Sequence, residues 1–164
     1  MRELAKLLVD DGYSAPPAHI LEGLAEPLVH TVPTGAPQGI YAELWHIVYW
    51  QEISLRWIAG VTVHYPEHSS QGFPSAKDVI STPWVELHRQ FFAGVARAAQ
   101  LAEDGAELAR KIVCASRPGH PVRQMTVLQQ LENLAAHNAY HLGRIVLLRQ
   151  LLGSWPPLSG GDRW

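Results

Sequence analysis

The chain has 164 residues, 47% of them apolar and 17% charged, enough to bury a sizeable core in one domain and too apolar for a mainly disordered state. Thirteen Lys and Arg against fifteen Asp and Glu exclude the basic field that nucleic-acid backbones require. No stretch approaches the roughly 20 apolar residues that cross a bilayer, and the single cysteine, Cys114, cannot form an internal disulfide.

Arg2 to Val9 is a short amphipathic piece followed by Asp10-Asp11-Gly12. Ser14 is the expected cap of a first helix that tolerates Pro16 and Pro17 in its opening turn and runs to about Glu26. Pro27 ends or kinks that helix, and Thr31 to Gly39 is a loop. The second helix spans about Ile40 to Val61. A stretch rich in Pro, Gly and Ser, Tyr65 to Ser81, then ends at Thr82-Pro83, a cap followed by proline at the first position of a third helix reaching about Leu101. Asp104 caps a short helix through Lys111, and Ser116 to Pro121 is loop. Thr126-Val127-Leu128-Gln129 matches the capping box, so a fourth helix starts there and ends at Leu152, before Gly153.

Nothing alternates with the period of two that a strand needs, so the expected fold class is all-α, a four-helix bundle. The link between the second and third helices is too long for a hairpin turn. About twenty residues at up to roughly 3.3 Å each can traverse a helix of about 33 Å, which allows those two helices to run parallel with a crossover. Residues 1–153 are expected to form the single bundle domain and 154–164 a C-terminal tail. The charged fraction lies below the roughly 25% of ordinary domains, which points to surface covered by another subunit. Acidic and basic residues interrupt the apolar positions after Met1, so no signal peptide is expected and the protein is read as cytoplasmic, without a membrane or nucleic-acid partner.

Nine histidines are the unusual feature. His137 and His141 are four apart, which on a helix puts both imidazoles on one side about one turn apart, within reach of one metal ion. His64 and His68 share the spacing but flank Pro66 in a loop, where helical geometry is not expected. On the fourth helix Val127, Leu131, Leu134, Leu142, Ile145, Leu148 and Leu152 define an apolar arc, with His141 inside it and His137 at its edge. On the second helix His46 shares a face with Ala42, Tyr49, Trp50, Ile53 and Trp57. Three inward imidazoles on two helices match sites that keep an open coordination position, although three separately satisfied core histidines also fit the pattern. His19, His30, His88 and His120 are read as ordinary core or surface residues.

The residues discriminate between metal chemistries. A zincin needs H-E-x-x-H, and Asn138 stands where the glutamate would be. A carboxylate-bridged di-iron bundle needs two E-x-x-H motifs, and only Glu43 to His46 supplies one. A single ion fits better.

Ile40-Tyr41-Ala42-Glu43-Leu44-Trp45-His46 with Trp50, then His137 to Ile145, Leu148 to Gly153 and Trp155-Pro156-Pro157 make the chain resemble the DinB-like (DinB/YfiT) superfamily of four-helix metalloproteins, which includes bacillithiol S-transferases. The resemblance implies a bundle with a parallel middle pair, homodimers, and His46, His137 and His141 as ligands of one divalent ion. Imidazole suits zinc, nickel, iron and copper alike; zinc or nickel is expected first, with iron or manganese as further candidates. Arg144 departs from the glutamine common at that position and is expected to affect the surroundings of the site.

Three neutral imidazoles leave a divalent charge uncompensated, which eases deprotonation of a water or thiol in the open position. The resemblance implies a low-molecular-weight thiol attacking an electrophilic small molecule, and therefore a metal-dependent S-transferase. A hydrolase or lyase using metal-bound water, and a non-enzymatic module with a structural metal, are the alternatives. Tyr49 and Trp50 could line the substrate pocket, and Arg149 could meet an anionic cosubstrate, although core packing and a salt bridge are their ordinary roles. No catalytic acid or base is assigned, and Cys114 is read as a packing residue.

Overall fold

The computed structural model describes residues 3–9 and 15–161. The elements in order are α1 (Glu3–Val9), α2 (Pro17–Ile20), α3 (Glu26–Val29), α4 (Ile40–Ile58), a 3-10 turn (Ser69–Gly72), α5 (Ala76–Ser81), α6 (Trp84–Glu103), α7 (Gly105–Ala109), β1 (Lys111–Cys114), β2 (Arg123–Thr126) and α8 (Val127–Leu151). The chain is mostly helical, and no described helix is long and apolar enough to cross a membrane.

Three long helices carry the core. α4 packs against both α6 and α8, and α1 fills the remaining groove beside α6 and α8. The apolar side chains form two clusters. One is built on Ile40, Leu44, Ile47, Leu87, Phe91 and Ile145, the other on Leu55, Ile58, Ala98, Val127 and Leu131. Cross-helix bonds pair Glu43 with His141 and Ser54 with Gln130, so α4 and α8 run in opposite directions. Tyr41 donates to the Thr82 carbonyl at 2.6 Å and Gln51 to that of Phe91 at 3.0 Å, tying α4 to α6.

The expected first helix is not continuous. α2 lasts four residues, Gly23 takes a φ of 68°, and a new turn begins at Glu26 with Pro27 inside it. Proline therefore starts α3 rather than ending its predecessor, because a first-turn position needs no backbone N–H. The expected cap Ser14 lies outside the described residues. The second predicted helix ends three residues early, at Ile58, and Gly60 turns the chain with φ 77°. The stretch from Tyr65 to Ser81 holds the 3-10 turn and α5, the latter closed by a reciprocal Ser75–Asp78 capping box. α6 starts one residue after Pro83, which itself occupies the cap position expected for Thr82.

The all-α expectation needs one correction. Lys111, assigned above to a helix end, opens a two-stranded antiparallel hairpin in which Lys111 pairs with Thr126 and Cys114 with Arg123. Each strand is four residues long, and only Ile112 and Cys114 turn inward, so the period-two signal is too short to stand out from the helical background. Thr126 ends β2 and caps α8, its hydroxyl accepting from the Gln129 N–H while Gln129 reaches back to Thr126. That cap fixes where α8 begins, and thus the direction in which its histidines point. Beyond α8 the chain folds back on the bundle, where Trp155 packs against the first core cluster.

Candidate metal centre

His46 comes from the middle of α4, and His137 and His141 from successive turns of α8. His46 and His141 are 9% and 7% exposed. The ring centroids are 4.5–5.1 Å apart, and one nitrogen from each ring lies within 4.8 Å of the other two. The apolar arc of α8 places them there: Leu134, Leu142 and Ile145 are buried against α4, and the histidines occupy the same flank.

Hydrogen bonds decide which nitrogens face the shared space. His46 Nδ1 lies 2.6 Å from the Gly72 carbonyl and His141 Nδ1 lies 2.6 Å from Glu43 Oε2; both partners can only accept, so both Nδ1 atoms donate. A neutral imidazole donating at Nδ1 presents its lone pair at Nε2. The Nε2 atoms of His46 and His137 are 3.2 Å apart. Two imidazole nitrogens each roughly 2.0–2.1 Å from one tetrahedral ion would be about 3.3 Å apart. His137 Nδ1 and Asn138 Oδ1 are both buried, which suits a ring whose Nε2 serves a ligand and whose Nδ1 carries the hydrogen beside the Asn138 amide. The residues fit a divalent ion held by three imidazoles.

The charge states agree. Burial pushes the His137 imidazole down to about 4, with the charges of His141 and His46 acting the same way. His46 is lowered chiefly by burial, against the bond to Gly72. Both rings are therefore neutral, and able to ligate, near neutral pH.

Glu43 is the support. It is fully buried, and burial would raise its carboxyl, but bonds from His141 and Gln38 and the charge of Arg144 together hold it below the usual carboxylate range. Gln38 donates to Oε1 at 2.6 Å and Arg144 Nε donates at 2.8 Å. Arg144, singled out in the sequence, thus reaches the site through Glu43 and also donates to the Tyr140 hydroxyl at 3.3 Å. Phe73 stacks on His46 at 4.3 Å. A Cβ at Gly72 would lie 3.2 Å from His46 Nδ1, so glycine there lets the carbonyl approach the ring.

Two clefts meet at the cluster. A cleft of about 520 Å³ reaches His46 past Glu67, Phe73 and Arg117. Another, of about 360 Å³, reaches His137 past Trp57, Arg123 and Asn133. Trp50 and Tyr65, 5.2 Å apart, line both and form the wall between them.

Residues 18–145, which include all three histidines, match the DinB superfamily. The chain belongs to the DinB superfamily. That superfamily is metal-binding, in accord with the three converging imidazoles. No curated protein matches the chain closely enough to name a relative.

Of the three pocket residues expected from sequence, Trp50 lines both clefts. Tyr49 instead stacks on Trp45 at 5.2 Å. Arg149 is placed elsewhere: 2% exposed, it donates to the carbonyls of Ser154 and Ile20 and lies over Trp155. Eight residues beyond His141 is about 12 Å along a helix, too far for a guanidinium held at the bundle end to reach the cluster. His64 and His68 are exposed and lie outside the three-histidine group, with His68 at the rim of the wider cleft. Cys114 is fully buried, its Sγ 3.7 Å from Gln130 Oε1, and burial pushes its thiol up, as suits a packing residue. Sequence reasoning missed Glu43 and Gly72 as supports. The E-x-x-H spacing was the available signal for Glu43, since three residues along a helix place it beside His46.

Proposed function

We propose that this DinB superfamily protein is a cytoplasmic metal-dependent S-transferase that joins a low-molecular-weight thiol to an electrophilic small molecule. The observation that carries this reading is a three-imidazole cluster without a carboxylate ligand, open to two clefts at once. A divalent ion held by His46, His137 and His141, zinc or nickel first, would supply a positive charge that lowers the thiol's pKa near neutral pH.

The chain's own residues perform the rest. Glu43 and the Gly72 carbonyl fix the tautomers and orientations of His141 and His46. Gln38 and Arg144 keep Glu43 in place. Phe73 stacks on the His46 ring and Trp50 meets it edge-on, covering that ligand with apolar surface. Two clefts with a common wall suit a two-substrate reaction, in which sulfur bonds to carbon as the bond from that carbon to its leaving group breaks, the leaving group keeping the electron pair and the thiol proton passing to solvent.

The topology read from sequence, a four-helix bundle with parallel α4 and α6, is supported by the ties from Tyr41 to Thr82 and Gln51 to Phe91, 41 and 40 residues apart. A homodimer is supported by Tyr140, Leu147 and Leu151, exposed along the outer face of α8.

The test is product analysis with a model thiol and a panel of electrophiles, with and without chelator. The reading requires a thioether that forms faster with protein than without and loses that acceleration on chelation. Turnover that proceeds equally without thiol would assign the site to hydrolysis instead.

A further inference from the structure

The narrower cleft has a chemistry of its own. Its walls are the rings of Trp50, Trp57 and Tyr65, with His137 also in the lining, and among the described residues Arg123 on β2 is the charged side chain that lines it. Arg123 is exposed, and its guanidinium lies over the Trp57 ring at 5.5 Å, so the ring helps to hold it at the cleft it lines. One nitrogen makes a single long bond, 3.4 Å to the Ala115 carbonyl, and no carboxylate is paired with it among the described residues. The floor is already satisfied: Gln130 donates to Ser54 Oγ at 2.9 Å, so these groups ask nothing of a ligand. The wider cleft differs, with Glu67 as well as Arg117 in its lining.

We infer that the cleft between Trp57, Arg123 and His137 seats the electrophilic substrate, and that this substrate is a flat, apolar molecule bearing a carboxylate that Arg123 grips. Aromatic walls take a planar unsaturated body by stacking. An unpaired guanidinium fork matches the two oxygens of a carboxylate, and a cleft without an acidic residue does not repel it. The carboxylate at the mouth directs the other end of the molecule toward His137. A cleft lined by both signs of charge suits the polar cosubstrate better, which leaves the aromatic one for the apolar partner. This inference rests on the transferase reading for the word electrophilic; the carboxylate site itself is tested without turnover.

The probe is trans-cinnamate, compared with its uncharged amide, titrated into the metal-loaded protein without thiol while the indole N–H signals of Trp50 and Trp57 are followed by NMR. Cinnamate should shift both indoles and bind about tenfold or more tightly than the amide, the discrimination expected for a charged hydrogen-bonded pair. Arg123→Gln should reduce cinnamate affinity to that of the amide, and Arg123→Lys should restore part of it. Arg97→Gln, which removes the same charge from the exposed face of α6, should leave the titration unchanged. Equal binding of acid and amide, cinnamate affinity unaltered by Arg123→Gln, or shifts confined to other indoles would overturn the inference. A positive titration with no thioether product would keep the carboxylate site and remove the transferase reading.

Discussion

Two groups of buried polar side chains lie on the same pair of helices and are bonded in opposite senses. Gln51, 2% exposed, donates to the Phe91 carbonyl and receives Asn138 at 3.4 Å, while Gln130, 4% exposed, donates to Ser54. These amides and hydroxyls bond to each other and to nearby backbone. His46 and His141 are bonded outward, to Gly72 and Glu43 behind them, and their free nitrogens face one another in front. Burial alone therefore does not mark a site. Side chains anchored from behind and unanswered in front do, because desolvated lone pairs must be met by something.

The sharpest way to break the comparison is to disturb each group and ask whether the other notices. A methyl at Gly94 would stand 1.9 Å from Gln51 Nε2 and 2.5 Å from its Cδ, so Gly94→Ala must expel that side chain and leave the Phe91 carbonyl and Asn138 without their partner. A loss of about 3 kcal/mol in urea unfolding is expected, with metal affinity of the folded protein falling less than about tenfold, since Asn138 stands beside His137. A loss under about 1 kcal/mol would mean the amide layer is not a structural element. Glu43→Gln attacks the other group. It keeps the shape but removes the charge that accepts from His141, and metal affinity should fall about 10–100-fold by competition with a chromophoric chelator.

Acid separates the groups further, because only one of them titrates. The buried imidazoles of His137 and His46 bind protons less readily than in the unfolded chain, so below the ordinary histidine range the unfolded state takes up more protons than the folded one. Metal-free protein should lose stability as pH falls from about 6.5 toward 4, and His137→Gln should flatten that slope. A slope unchanged by the substitution would place the protons elsewhere. The smallest effect is expected at Gly72, where an added Cβ meets the His46 ring at 3.2–3.3 Å and Trp50 at 3.4 Å. Gly72→Ala should weaken metal binding by about tenfold or less without a change in fold, seen in the same chelator competition.

Much of this organisation was legible in the sequence, for identifiable reasons. The capping box at Thr126 and the apolar arc of α8 set the phase of that helix, and hence the inward placement of His137 and His141. His46 followed from the apolar face of α4. What the sequence did not reveal depends on contacts between distant segments. Gly72 belongs to a loop whose path is set only by packing on α4, and Arg123 reaches its cleft through strand pairing between segments too short to register a period. Arg149 misled because a basic residue near an apolar arc looks the same whether it faces a ligand or a carbonyl at the bundle end. Glu43 was visible as E-x-x-H, but its role in bonding a histidine 98 residues away required the fold.

The central claim is that His46, His137 and His141 together hold one divalent ion. Its most direct test is elemental analysis of untagged protein after gel filtration, repeated for His46→Ala, His137→Ala and His141→Ala, each checked for native helicity. The account predicts a single ion per wild-type chain and near-complete loss in every variant. A folded single variant that keeps its full complement of metal would contradict it.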